Sequence, residues 1–239
     1  MEDTRLRTEM LIGKDAIERL SGCRIAVFGV GGVGGYAVEA LARTGVGTLD
    51  IVDADDVAPS NLNRQIIATL ETVGRTKVDV FAERIRSIDP AIKVNRHRLF
   101  YLPQDPPMLD FSAYDYVIDA VDTVKAKIDI IARCVGSGVP VISAMGCGNR
   151  LDPSKLSVMD LAKTSMDPLA KVMRRELKKL GIAHVKTVCS SEEPIKPVAQ
   201  DEPAETMKRS TPGSAMFVPA AAGLLIASEV VRDLIKTNG

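Results

Sequence analysis

Through the first two thirds of the chain, short apolar runs alternate with stretches whose apolar residues fall three and four apart. Residues 24–28 (RIAVF) form an uninterrupted β-prone run, as expected of a strand buried on both faces. In 35–43, Val38, Leu41 and Ala42 keep helical spacing, and Gly45 marks the end. A second buried strand is expected at 48–52 (TLDIV). The spacing of Val78, Phe81, Ile85 and Ile88 predicts a helix over 76–88, stopped ahead of Pro90. Residues 92–97 alternate as a strand, 114–120 read as a buried strand ending in acids, a helix covers about 124–135, and 139–143 (VPVIS) are again strand-like. Strands and helices alternating over short links predict an α/β fold with a mainly parallel sheet and helices on both faces.

The rest of the chain is less regular. Residues 155–160 and 184–190 predict antiparallel strands. Between them, 167–181 form a helix with Asp167 as its cap, Pro168 in its first turn and Gly181 beyond its end. Residues 194–213 hold four prolines and few apolar groups, which predicts a mobile crossover loop. A terminal helix is expected over about 219–235. Its densest apolar stretch, 215–227, is 13 residues long, against the ~20 needed to cross a bilayer, so burial against the domain is expected rather than membrane insertion. The chain thus divides into a nucleotide-binding core (1–150) and an extension (151–239) within one domain.

Composition narrows the classes. Among 239 residues, 31 basic and 31 acidic ones balance, which excludes a histone-like polycation, and 46% hydrophobic content excludes a disordered chain. Trp is absent and aromatics are only 4%, so the core is expected to be aliphatic. Cys23, Cys134, Cys147 and Cys189 lie far apart, and His97 and His184 are the only histidines. That spacing supports neither a structural zinc nor a disulfide framework. With a charged N-terminus that lacks a signal peptide's apolar core, it points to a reducing, cytoplasmic setting. Cys147 and Cys189 read as small buried side chains rather than nucleophiles.

The chemistry concentrates after the first strand. Gly29-Val30-Gly31-Gly32-Val33-Gly34 is a G-x-G-x-x-G turn between strand and helix, where phosphate oxygens can approach backbone N–H groups, as in Rossmann-like folds. Asp53 ends the second strand, 19 residues beyond Gly34, where a carboxylate can hold a ribose hydroxyl. The turn alone serves dinucleotides and ATP equally. Beyond Asp53 the chain adds Asp55, Asn61, Arg64 and Lys77. A triphosphate needs cations such as the last two more than a nicotinamide site does.

The run D-x-D-x-V-x-x-S-N-L-N-R-Q, then V-G-x-x-K, after the glycine turn, resembles the ubiquitin-activating-enzyme (ThiF/MoeB/HesA) superfamily over about residues 5–145, as does Asp119-Ala120-Val121-Asp122-Thr123. A narrower resemblance spans nearly the whole chain. Residues 7–13 (RTEMLIG), 145–153 (MGCGNRLDP), 167–170 (DPLA) and 191–194 (SEEP) are similar to the tRNA threonylcarbamoyladenosine dehydratase branch. That resemblance implies ATP-dependent cyclisation of threonylcarbamoyladenosine in tRNA through carboxylate adenylation. It implies Gly29, Gly31, Gly32 and Gly34 at the phosphates, Asp53 at the ribose with Asp55 beside it, and Asn61, Arg64 and Lys77 on the phosphates. Asp122 would position Mg2+, with Arg64, Lys77 and Asp122 as the catalytic set. It further implies a homodimer in which Arg7 reaches the neighbouring subunit's ATP, and a cysteine desulfurase system as a further partner. The sulfur-carrier-activating branch, which adenylates a protein C-terminus, is the alternative; it usually carries paired Cys-x-x-Cys motifs, absent here. A nicotinamide-dependent oxidoreductase and a non-catalytic dimeric module are remoter alternatives. For tRNA, the basic side chains Lys163, Lys171, Arg174, Arg175, Lys178, Lys179 and Lys186 outnumber Asp167 and Glu176, and helical spacing gathers those of 171–179 on roughly one face.

Overall fold

The computed structural model describes residues 4–103, 109–196 and 212–236. Its elements run α1 (Leu6–Ile12), α2 (Lys14–Gly22), β1 (Arg24–Phe28), α3 (Gly34–Thr44), β2 (Thr48–Val52), α4 (Lys77–Ile88), β3 (Lys93–His97), β4 (Tyr116–Asp119), α5 (Val124–Ser137), β5 (Val141–Ala144), β6 (Leu156–Asp160), α6 (Pro168–Lys179), β7 (Lys186–Ser190) and α7 (Phe217–Ile235). The strands form one seven-stranded sheet in the order β3-β2-β1-β4-β5-β7-β6. All neighbours are parallel except β6 and β7, whose antiparallel register sets Val158 opposite Val188. The antiparallel strands expected in the C-terminal half are β6 and β7, which run antiparallel to each other, with β6 the one that runs against the rest of the sheet. β7 pairs in parallel with β5 and is buried along four of its five residues, as a central strand must be, while β6 is the half-exposed edge.

Chain order reverses at β1. From there β2 and β3 extend one way, and β4 and β5 the other. Such a switch point leaves a crevice beyond the carboxyl ends of β1 and β4, and in open α/β sheets ligands bind there. The glycine turn after β1 and the acidic stretch after β4 therefore meet by topology.

One face of the sheet is covered by α3 and α7. Val38, Leu41 and Ala37 of α3 and Val218, Ala222 and Ile226 of α7 are fully buried together, each large aliphatic side chain contributing roughly 1.5–3 kcal/mol. Gly223 makes the approach possible, because a β-carbon there would collide with the Val33 carbonyl. Among the described residues, no helix is long and apolar enough to cross a membrane, and α7 spends its apolar side on this packing. The core is mostly aliphatic, as expected, and the opposite face adds a small aromatic group. Phe28 stacks on Phe111 at 5.6 Å and meets Tyr101 edge-on at 5.2 Å, and Tyr114 joins Phe111. Four of the nine aromatics meet there, whereas Phe81 and Tyr116 are buried in the aliphatic cluster with α3 and α7.

The sequence pattern does not announce helices α1 and α2, since each is too short to display a period. Residues 197–211, most of the expected crossover loop, lie outside the described residues. On either side of them the chain returns to one point. Asn149, in a left-handed conformation (φ 58°), donates its N–H to the Gly213 carbonyl and accepts from the Ile195 N–H, both at 2.7 Å. Asparagine tolerates that conformation better than most residues.

Candidate active site

Gly29 opens the site with φ +80°, a backbone state that L side chains resist. A β-carbon there would also lie 2.7 Å from the Ala120 carbonyl, so the β1 and β4 turns are in direct backbone contact. Gly34 lets α3 begin against the Gly29 carbonyl. Asp53, at the end of β2, accepts from the Val30 N–H at 2.9 Å and from the Asp55 N–H at 2.9 Å, tying the glycine turn to the loop after β2. Asn61 sits in a short 3-10 turn, Pro59–Asn61, and its side-chain oxygen accepts from the Ala58 N–H at 3.1 Å.

These parts enclose a cavity of about 300 Å³. Gly29, Gly31, Gly32, Asp53 and Asp55 line one side, and Asn61, Arg64, Lys77 and Asp122 complete it. Nine of the residues singled out from the sequence therefore share one space. Gly34 lies behind the wall in its packing role. Arg7 does not line the cavity; it is exposed on α1, whereas nearby Arg5 is held by Asp89.

Charge is arranged in layers. Lys77 is buried at the start of α4, its ammonium 2.7 Å from Asp55 and 3.6 Å from Asp53. Arg64 is half-buried, anchored by bonds to the Ser60 carbonyl at 2.8 Å and to Asn63 at 2.9 Å. Its aliphatic stem lies beside Gly32, which also meets Pro219 of α7. Asp122 is exposed, and its carboxylate accepts from the Thr123 hydroxyl at 3.3 Å. No cluster of three or more metal-ligating side chains exists among the described residues. Mg2+ usually takes one or two carboxylates plus substrate phosphates, and the exposed Asp122 carboxylate on this cavity is a donor of that kind.

Sequence reasoning missed the rest of the lining. Leu99, Phe100 and Tyr101 follow β3 into the wall, where the Tyr101 hydroxyl donates to Asp129 at 2.6 Å. The only sequence signal was an apolar triplet after an alternating strand. Gln65, part of the N-L-N-R-Q run, is also buried in the lining, and its Oε1 lacks a hydrogen-bond partner among the described residues. Lys127 and Asp119 form an ion pair with no exposed side-chain surface under the floor.

A second polar cluster lies beside β5 and β7. Arg150 pairs with buried Asp167, which accepts from the Gly146 and Ala170 N–H groups at 3.0 and 2.9 Å. Burial pushes the neighbouring thiols up, Cys147 to about 11 and Cys189 to about 12. On α6, Lys171, Arg175, Lys178 and Lys179 are exposed, but Arg174 turns back to the Thr164 carbonyl at 2.8 Å, which removes it from the expected basic face.

Comparison with known proteins identifies relatives of the whole chain. Residues 5–238 match the model of the ThiF family. The chain is 43% identical to the tRNA threonylcarbamoyladenosine dehydratase of Bacillus subtilis (strain 168), over 96% of this chain and 94% of that one. It is 38% identical to the Escherichia coli (strain K12) protein of the same name, over 95% and 92%. The crystal structure of the E. coli enzyme, TcdA, in complex with ATP superposes with a TM-score of 0.87 at 36% identity, covering 97% of this chain and 94% of that one.

Proposed function

The chain belongs to the ThiF family, and from that premise we propose that it is an ATP-dependent tRNA threonylcarbamoyladenosine dehydratase, a single adenylating domain acting on tRNA. The observation that carries this reading is the convergence of the glycine turn, Arg64, Lys77 and Asp122 on one cavity at the sheet's switch point.

In this reading the backbone N–H groups of the glycine turn receive phosphate oxygens and Asp53 receives the ribose. The substrate carboxylate attacks the α-phosphorus of ATP, the bond to pyrophosphate breaks, and an acyl-adenylate forms. Arg64 and Lys77 offset the charge that moves onto the phosphate oxygens and the leaving group. Lys77 reaches that state by exchanging part of its attraction to Asp55 for the polyphosphate. Asp122, with Asp55 nearby, would hold Mg2+, which supplies further charge neutralisation on the phosphates when bound. A nucleophile on the same side chain then closes the ring and AMP departs, for a net loss of one water. Because that attack is intramolecular, its effective molarity is high and no enzyme thiol is required, in keeping with the raised pKa values of Cys147 and Cys189.

Two assembly features belong to the same proposal. Helix α1 buries none of its own residues, and Met10 and Leu11 are 80% and 83% exposed, so a second copy of the chain covers them and receives Arg7 in its ATP site. Exposed Lys163, Lys171, Arg175, Lys178 and Lys179 meet the tRNA backbone. A cytoplasmic location is part of the same proposal, since a tRNA substrate is available there.

The test is mass spectrometry of tRNA nucleosides from cells with and without the gene, paired with ATP–pyrophosphate exchange in vitro. Loss of the cyclised nucleoside and exchange dependent on threonylcarbamoyladenosine-bearing tRNA are expected. Exchange driven by a sulfur-carrier protein instead would overturn the assignment. Arg64→Ala should lower turnover by ~10²-fold or more.

A further inference from the structure

We propose that Lys127 is a positioning residue for adenylation: together with Asp119 it clasps the Val121 peptide and so sets where Asp122 stands. The inference rests on the proposed function, in that Asp122 is taken to act at the reacting centre.

The clasp has two jaws. The Lys127 ammonium donates to the Val121 carbonyl at 3.1 Å and lies 3.0 Å from Asp119 Oδ2. The other carboxylate oxygen of Asp119 accepts from the Val121 N–H at 3.3 Å. Ser143 of β5 completes the arrangement by donating to Asp119 Oδ2 at 2.6 Å. Both polar groups of Val121 are thus held by one ion pair whose side chains have no exposed surface. Val121 and Asp122 line the cavity; Lys127 does not, so it acts through the turn rather than on substrate.

Stability alone does not call for this pair. Removing both charges from water costs roughly what their attraction returns, and apolar side chains of similar shape often serve a core equally well. An apolar side chain could not donate to the Val121 carbonyl. The turn also needs such an anchor, because Thr123, at the N-cap of α5, makes no side-chain capping bond. Lys127 reaches back from the first turns of α5 and takes over that restraint. Its charge is matched by Asp119, so it adds little to the field on a triphosphate, and its effect falls on geometry.

The double variant Asp119→Asn/Lys127→Met removes both charges while keeping their shapes. It should melt near the wild-type temperature, keep its KM for ATP within about threefold, and lose about 10- to 100-fold in kcat, as expected when a reacting group is displaced by a fraction of an ångström to an ångström. Lys127→Arg keeps a donor for the carbonyl and should retain most of kcat. A folded double variant with wild-type kcat, or a loss carried by KM alone, overturns the proposal. So does a folded Lys127→Arg with kcat lost, or failure of both variants to fold, which would make the pair a stability element. If the double variant alone fails to fold, the arginine variant decides. Asp122→Ala is measured beside them. If it leaves turnover unchanged, the site assignment itself has failed; if it abolishes turnover while the double variant does not, only the clasp has.

Discussion

Asp50 illustrates how one residue couples three strands. It is fully buried in β2 and receives Arg24 from β1 at 2.8 and 2.9 Å, Asn95 at 3.0 Å and His97 at 2.9 Å from β3. Burial opposes its ionisation, but hydrogen bonds from Arg24, His97 and Asn95 prevail and hold the carboxyl well below the usual range. A group whose folded pKa is depressed stabilises the fold above its unfolded pKa and loses that contribution as pH falls. Asp50→Ala should therefore cost about 2–3 kcal/mol at neutral pH, less than the ~3–5 of a fully enclosed pair because Arg24 and His97 reach solvent. The gap between variant and wild type should narrow below about pH 4. Urea titrations at pH 7 and pH 3 measure both; an equal gap at the two pH values would contradict the assignment. The thiols offer a second check. With Cys147 near 11, its thiolate is scarce at pH 7, so Cys147→Ser should keep turnover and iodoacetamide should label the folded protein slowly.

Among the elements, α7 has the closest link between packing and the site, because Pro219 abuts Gly32 and Gly223 abuts Val33. Gly223→Ala should push α7 off the glycine turn, costing roughly 1–3 kcal/mol as overpacking does and raising the KM for ATP. Calorimetry with ATP titration would show whether the two effects travel together. This element was legible from its apolar run, as β1, β2 and α4 were from theirs, because burial on both faces or along one stripe leaves a local mark. The direction of β7 left none: parallel and antiparallel partners demand the same buried residues, and β7 reads alike in either. The site divides in the same way. Asp53, Asn61, Arg64 and Lys77 stand in one contiguous run whose spacing is informative. Phe100, Tyr101 and Lys127 come to the cavity or its floor through tertiary folding, and a lysine in a helical stretch gives no sign that it is buried.

At the scale of the whole molecule, the proposed dimer makes a sharp prediction. Arg7→Ala and Arg64→Ala should each be nearly inactive alone. If Arg7 serves the neighbouring site, mixing them under subunit exchange regenerates an intact centre in each heterodimer, about a quarter of all centres at equal amounts. No recovery on mixing would place Arg7 outside the partner's site. For tRNA, replacing Lys171 and Lys178 with alanine should lessen the slope of log affinity against log salt by roughly 0.7–0.9 per lost contact. Binding measured over a salt series would report it, and an unchanged slope would move the docking surface elsewhere. The pinning of Ile195 and Gly213 to Asn149 has a consequence for how such a chain can vary. Two segments far apart in the chain rest on one residue in a left-handed state, so a side chain at 149 that resists that state should loosen both at once, and glycine or aspartate is the change the position can take.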